Sequence, residues 1–520
     1  MKLIDRHFYP DASGMTTRSC LPDTAQLLVQ GGDVRIAPEP GRTRNKYGCS
    51  PLPDPGIAAF GSSTASTISE PSFAAANRLR EKIMRDDAPD AAIYARELDR
   101  LRTELLTLSG ASAIDGVDVV FAASGTDLHL IAGQLAIEAD SPPPLIIMVD
   151  PSETGSGVYA ALSCRHFSGR SALGETVTEG SVLAKGRPIE VASVAIRHVD
   201  GVSRAPAEVD AEVMALATAA AQSGRKVLLI LVDMTKTGLI APSPACAFAL
   251  QRHMPGSVEV LVDACQFRIA PATVCSYLER GFMVALTGSK FVTGPSFSGA
   301  LLVPPSAASR LRGRPLSCAL RAYSARAEWP RHWTARDALD DTANLGLLLR
   351  WEAALEELRA FRSIPETDIE RFLRDFATAI GERLASDPSF DPLPTPAIER
   401  FESTGWDAIP TIFPFVLHHT TASHGRRPLS RAETIRTYEL LQMDLSDACP
   451  EWDPTLAAIR CQFGQPVACG ERNGIPVSAL RLCASSRLVV EAATRHGGKS
   501  SEIIQRALSA LDKAAFLGKL

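Results

Sequence analysis

Apolar positions recur along the chain at two spacings, and the alternation between them predicts its elements. In 91–108, Leu98, Leu101, Leu105 and Leu108 recur three or four residues apart after Ile93, the period of an amphipathic helix closed by Gly110. The same period predicts helices over 71–84, 128–139, 207–223, 244–254, 347–362, 366–387 and 500–517. In 366–387, Ile369, Phe372, Phe376, Ile380 and Leu384 form the apolar face. Short apolar runs rich in β-branched residues predict strands at 117–123, 145–150, 190–197, 227–232, 258–263, 283–286 and 300–303. Val227–Val232 is apolar without a break, as in a strand buried on both faces.

Strand alternating with helix predicts an α/β fold, a mainly parallel, doubly wound sheet. Three regions follow. Residues 1–75 are dense in Gly, Pro, Ser and Thr and read as an N-terminal arm. Residues 76–345 form a large domain. Residues 346–520 form a small C-terminal α/β domain, with strands expected at 411–418, 456–463 and 478–482.

The chemistry gathers where apolar runs end. Met283–Leu286 leads into Thr287-Gly-Ser289-Lys290 and a Gly/Pro/Ser loop. A lysine there runs its stem into an apolar interior, and burial lowers its pKa and makes the amine nucleophilic. Thr287 and Ser289 stand beside it as phosphate donors, although an isolated Thr-Gly-Ser-Lys also fits an ordinary loop. Val258–Val262 ends in Asp263, 27 residues earlier. A carboxylate and a lysine at two such strand ends suit pyridoxal 5'-phosphate (PLP): the lysine forms the Schiff base and the carboxylate keeps the pyridine nitrogen protonated. Val117–Ala123 runs into Ser124-Gly125-Thr126 and a helix, a turn that offers free backbone N–H groups to an anion, or a plain helix cap.

Asp263-x-x-Gln266, Lys290 and Gly294-Pro-Ser-Phe-Ser-Gly299 resemble the fold-type-I PLP enzymes, in particular the class V aminotransferase, cysteine desulfurase and kynureninase group. The resemblance is clearest over about residues 90–360. It implies the fold-type-I PLP-dependent transferase fold, a homodimer and an amino acid substrate. The implied chemistry passes through a lysine aldimine and a carbanion at Cα, with an aminotransferase-like reaction foremost. A PLP-dependent lyase, β/γ-replacement or carbon–carbon bond-forming reaction is the alternative. The resemblance makes Lys290 and Asp263 catalytic and places Ser124, Gly125 and Thr126 on the phosphate. It puts Gln266 at the cofactor 3-oxygen, Asp233 beside the 3-hydroxyl or the substrate, and Thr342 on the neighbouring subunit's phosphate, or as a helix cap. On the substrate side it implies Arg481 for the α-carboxylate, with Thr235, Glu153 and the arm residues Ser63 and Thr64 in the pocket. Glu153 or Thr154 stands where the family stacks an aromatic residue on the ring.

A rival of another class, an NAD-dependent oxidoreductase, rests on Gly155-x-Gly157-x-x-Ala160 after a strand with Glu175 beyond it. Four residues intervene between Asp150 and Gly155, where that fingerprint wants a tight turn. His418, His419 and His424 cluster without an acidic or cysteine partner at ligand spacing, so no metal is expected.

Bulk properties narrow the partners. The formal net charge is −5, which leaves no general basic surface for nucleic acid or an anionic membrane. No apolar run approaches a membrane span, and the N-terminal residues lack a signal peptide's apolar stretch. Eleven cysteines are scattered without a Cys-x-x-Cys pair, which fits a reducing, cytoplasmic setting.

Overall fold

The computed structural model describes residues 21–138, 141–183, 189–401, 405–421, 425–448, 452–493 and 499–519. The larger of its two sheets has the strand order Asp118–Ala122, Gly299–Val303, Met283–Thr287, Val258–Ala264, Val227–Asp233, Leu145–Val149 and Glu190–Val194, with Ile240–Ala241 paired to Val227–Asp233. From Met283–Thr287 to Glu190–Val194 all neighbours run parallel. Gly299–Val303 is inserted antiparallel between Asp118–Ala122 and Met283–Thr287. Val227–Asp233 is buried along its whole length, which explains its unbroken apolar run. The fold is thus α/β, with the expected parallel sheet.

Helices Glu70–Met84 and Asp90–Leu108 pack on the long helix Leu345–Arg362. On that helix Arg350 is fully buried and ties two distant segments together. Its guanidinium donates to Phe297 O (2.6 Å), to Gly31 O (2.7 Å) and to Leu28 O (3.2 Å). The loop that carries Lys290 and the N-terminal arm are therefore pinned to one side chain.

The second sheet has the order Ile57–Phe60, Arg460–Arg472, Ile475–Cys483, Ile412–Thr421 and Phe390–Pro392, with Gly425–Pro428 paired to Ile412–Thr421. Two sequence expectations change here. Residues 57–60 of the arm are a strand, parallel to 460–463, so this part of the arm is integral to the second sheet. The strand expected at 456–463 begins at Arg460 and runs to Arg472, because Asp453 caps a short helix, Pro454–Ala458, just before it. The other elements lie within a few residues of their expected bounds. The helix expected at 128–139 spans Gly125–Leu135, because Ser124 caps it three residues earlier than the apolar pattern begins. His418 and His419 sit on Ile412–Thr421, and His424 lies outside the described residues, as do residues 1–20. Among the described residues no helix is long and apolar enough to cross a membrane.

Candidate active site

A cavity of about 410 Å³ opens where the strands of the large sheet end, under the second sheet and the arm. Of the residues singled out in the sequence, Ser63, Thr64, Ser124, Gly125, Thr126, Glu153, Asp263, Gln266, Thr287, Ser289, Lys290 and Arg481 all line it. Thr154, Gly155 and Ser156 line it too.

Lys290 follows the buried strand Met283–Thr287. Two glycines let its loop sit tightly on the long helix: a Cβ on Gly288 or Gly294 would lie 2.4 or 2.6 Å from Ala354 Cβ. Burial lowers the pKa of its amine, against the opposing charges of Cys265 and Asp263. No hydrogen bond or ion pair engages that amine among the described residues.

Asp263 ends the neighbouring strand, and Cys265 N–H donates to its Oδ1 (3.1 Å). His129 Nε2 lies 3.2 Å from Asp263 Oδ2, an ion-pair distance without hydrogen-bond alignment. The other ring nitrogen, Nδ1, bonds Gly125 O at 2.7 Å. Burial alone would raise the Asp263 pKa, but the charge of His129 and the bonds around it hold it well below the ordinary carboxylate range. Burial pulls the His129 pKa down, and Asp263 outweighs that, so the net direction is up.

The helix Gly125–Leu135 aims its N-terminus at the cavity, with its backbone N–H groups and positive dipole end presented there. The Ser124 hydroxyl is committed to the cap: it accepts from Asp127 N–H at 3.2 Å and donates to Asp127 Oδ2. Thr287 Oγ1 donates to Cys265 O (2.6 Å), which fixes the hydroxyl beside the turn. Arg35, from the arm, reaches the same end. Its Nη1 lies 3.4 Å from Thr126 Oγ1, and its guanidinium pairs with buried Asp33 and packs over Phe167 and Phe297, 5.5 and 5.4 Å from the ring centroids. Burial, reinforced by the charge of Asp33, pushes the Asp127 carboxyl up to about 7.

At the other end of the cavity stands Arg481, on the strand Ile475–Cys483. Its guanidinium is 1% exposed. Nη2 donates to Thr64 Oγ1 (2.9 Å) and to Gln465 O, and Nη1 to Lys236 O (3.3 Å). Nε has no partner. All these acceptors are neutral, so a buried cation faces the cavity without a carboxylate, which is the state expected of a group that awaits an anion. Gly464 makes this possible: a Cβ there would lie 2.6 Å from Ser63 Oγ and 2.9 Å from Arg481 Cζ. Gln266 Nε2 donates to Ser63 O (3.0 Å), so the arm loop is held from both sheets.

Three expected site residues lie elsewhere. Asp233 is fully buried in a bidentate pair with Arg400 and accepts from Tyr277 OH (2.7 Å), so its carboxylate is consumed inside the protein. Thr235 is buried and accepts from the Leu239 and Thr237 N–H groups (3.1 and 3.3 Å), the work of a turn residue. Thr342 lines a separate cavity of about 140 Å³ with Trp329 and Arg336. Glu153 borders the main cavity, but Arg197 Nε (2.8 Å) and the Thr237 hydroxyl (2.7 Å) and N–H (3.1 Å) occupy its carboxylate. No aromatic residue stands at 153 or 154; the rings on the cavity wall belong to His129, Tyr47 and Phe297.

The Gly155–Ala160 stretch does not form a dinucleotide fingerprint. A 3-10 turn, Pro151–Glu153, separates it from its strand, and the helix that follows, Val158–Leu162, has five residues. A Cβ on Gly157 would lie 3.0 Å from Thr126 Cγ2, so that glycine serves close packing against the 124–126 turn.

Sequence reasoning missed Arg35, His129, Lys236 and Cys265 as cavity residues. Lys236 obeys the strand-end rule that found Lys290. His129 lies four residues after Gly125, one turn into the capped helix. Arg35 had only a local signal, the mixed charges of Asp33-Val-Arg35 after two glycines.

No protein-family model and no curated protein sequence matches the chain. Solved structures match it by fold. A lysine-to-alanine variant of C-DES with glycine covalently linked to its PLP cofactor superposes with a TM-score of 0.51 at 14% identity, over 88% of this chain and 99% of that one. Alanine–glyoxylate aminotransferase from Nostoc sp. gives 0.51 at 11% identity, over 89% and 97%. The cystine C–S lyase C-DES with its product cysteine persulfide gives 0.50 at 13%, over 87% and 98%. Together with the strand order and the single inserted antiparallel strand, these likenesses establish that the chain has the fold of the fold-type-I PLP-dependent enzymes.

Proposed function

We propose that the chain is a PLP-dependent enzyme acting on an amino acid, with Lys290 as the lysine that carries the cofactor. One observation carries the reading: the Lys290 amine, unpaired and lowered in pKa by burial, lies on the same cavity as an ionised, buried Asp263 and a capped helix N-terminus. The residues present fit the group. Backbone N–H groups of Gly125 and Thr126, with the hydroxyls of Thr126 and Ser289, suit a phosphate. Asp263, kept ionised by His129, suits a protonated pyridine nitrogen, and Gln266 lies beside it for the 3-oxygen. When bound, PLP supplies an electron sink that stabilises negative charge at the substrate Cα.

The chain's own residues then have separable tasks. Arg481 and Thr64 hold the α-carboxylate and so orient the Cα–H bond. Lys290, its pKa lowered by burial, takes a proton from Cα and returns one to the substrate. Asp263 and His129 hold charge in place at the pyridine nitrogen.

Within this class an aminotransferase-like reaction is the reading we favour over cysteine desulfuration. Cys265 is the cysteine on the cavity among the described residues, and burial together with the charge of Asp263 raises its thiol pKa well above the ordinary value, which leaves a poor nucleophile. The reading includes a homodimer in a cytoplasmic setting, with Thr342, remote from its own cavity, serving the partner's cofactor.

Titration with PLP tests the proposal. A saturable visible band that amino acids shift supports it. Keto acid formed only with an acceptor keto acid marks transamination, and ammonia release without one marks a lyase. A protein that takes up no PLP refutes the reading.

A further inference from the structure

Among the described residues, several cations on the cavity wall are left unpaired by the protein's own carboxylates. Six cations line it: Arg35, Lys46, Lys236, Lys290, Arg431 and Arg481. The two carboxylates on its wall, Glu153 and Asp263, are engaged by Arg197 and His129. Arg35 is paired with Asp33 and lies at the Thr126 end, and Lys290 is the cofactor lysine. Lys46, Lys236, Arg431 and Arg481 remain, without an ion pair among the described residues. Arg481 is buried and Lys236 partly so, while Lys46 and Arg431 are exposed and mark the mouth.

The inner two are neighbours through the Lys236 backbone. Arg481 Nη1 donates to Lys236 O at 3.3 Å, and among the described residues the Lys236 amine donates to Ser152 O at 2.9 Å alone. Burial lowers the Lys236 pKa to about 8, and the charges of Arg481 and Lys290 add to it against the opposing charges of Glu153 and Asp150. Gln465 extends the cluster outward: its O accepts from Arg481, and its Nε2 donates to Lys46 O (2.6 Å). Arg431 opens the helix Arg431–Leu441 at the same rim. One α-carboxylate pairs with Arg481, and Lys236, Lys46 and Arg431 keep no ion-pair partner among the described residues, although Glu153 and Asp150 lend Lys236 some longer-range negative charge. A cleft lined by one sign of charge selects a ligand of the other.

We propose that the substrate is an amino acid bearing a second anionic group, which Lys236 binds, with Lys46 and Arg431 at the mouth, while Arg481 binds the α-carboxylate. The inference rests on the amino-acid reading of this site.

Calorimetry on the PLP-loaded protein compares L-glutamate with L-glutamine and L-aspartate with L-asparagine, pairs that differ only in the distal charge. The acids bind tighter by about 10- to 100-fold, the value of a hydrogen bond to a charged group. Lys236→Met removes most of that preference and Lys236→Arg restores it. Glutarate against butyrate, without added PLP, repeats the comparison with no amine to react. Acids and amides binding alike, or a preference unchanged in a folded Lys236→Met protein, overturns the inference. A protein that takes up no PLP sinks the amino-acid reading instead, and glutarate against butyrate then decides the two-anion site alone.

Discussion

Asp233 separates two accounts of one strand end, and Arg400→Met tells them apart. The resemblance put Asp233 beside the cofactor; the structure shuts it away. The side chains of Arg400 and Asp233 are 1% and 0% exposed. Arg400 Nε donates to Asp233 Oδ2 (2.8 Å), Nη2 to Oδ1 (2.5 Å) and to Arg268 O (3.3 Å), and Nη1 to Asp407 O. Arg400→Met leaves a buried carboxylate with the hydroxyl of Tyr277 as its one side-chain donor among the described residues. Stranding one partner of such a pair costs about 3–5 kcal/mol, because the remaining charge has lost both water and its counter-charge. At about 2–4 °C per kcal/mol for a domain of 150–250 residues, the melting temperature falls by on the order of 10 °C. Replacing the pair together, Asp233→Leu with Arg400→Met, recovers part of the loss, since the Asp233 carboxylate is gone while buried Asp407, 3.9 Å from Arg400, still loses its nearby cation. Calorimetric melting of the three variants measures the cycle, and the PLP band is read on the double variant. A single variant within about 1 kcal/mol of wild type contradicts the burial argument. A double variant as stable as expected but with a shifted PLP band contradicts the purely structural role of Asp233.

The remaining predictions concern the site itself. His129, raised above its ordinary 6.5 by Asp263 despite its burial, contributes stability that is complete below 6.5 and fades as pH rises through its folded-state pKa. The melting gap between wild type and His129→Gln therefore narrows as pH rises from weakly acidic to alkaline, and a gap independent of pH refutes the Asp263–His129 ion pair. Gly464→Ala drives a methyl group into Ser63 and Arg481, so carboxylate binding weakens by about 10-fold or more. Unchanged glutarate affinity in that variant would show that Arg481 is not the anchor.

The sequence disclosed those parts of the site that obey a local rule. Lys290, Asp263 and the Ser124–Thr126 turn each follow an apolar run, and a parallel sheet brings such ends to one edge. The strand-end rule also nominated Asp233, whose strand it places correctly; its partner Arg400 lies 167 residues on, beyond any local pattern. The arm was the hardest to read. Its turn residues gave no period, and strand Ile57–Phe60 exists because Arg460–Arg472 offers it a parallel edge 403 residues away. His129 was hidden for a related reason: within a helix of apolar residues it looks like a core position, and only the sheet register that places Asp263 beside it reveals its role. Arg481 was legible through the resemblance, but its lack of a carboxylate partner is a tertiary fact, set by Gly464 and the arm loop.

The most direct test of the central claim is borohydride reduction of the PLP-treated protein followed by peptide mass mapping. The cavity holds two lysines of lowered pKa, Lys290 and Lys236. Lys290 lies beside Asp263 and the helix N-terminus, whereas Lys236 is held out toward Ser152. The account predicts one reduced phosphopyridoxyl group on the peptide that carries Lys290, and none there in Lys290→Ala. The label on Lys236, or none on any cavity lysine, would contradict it.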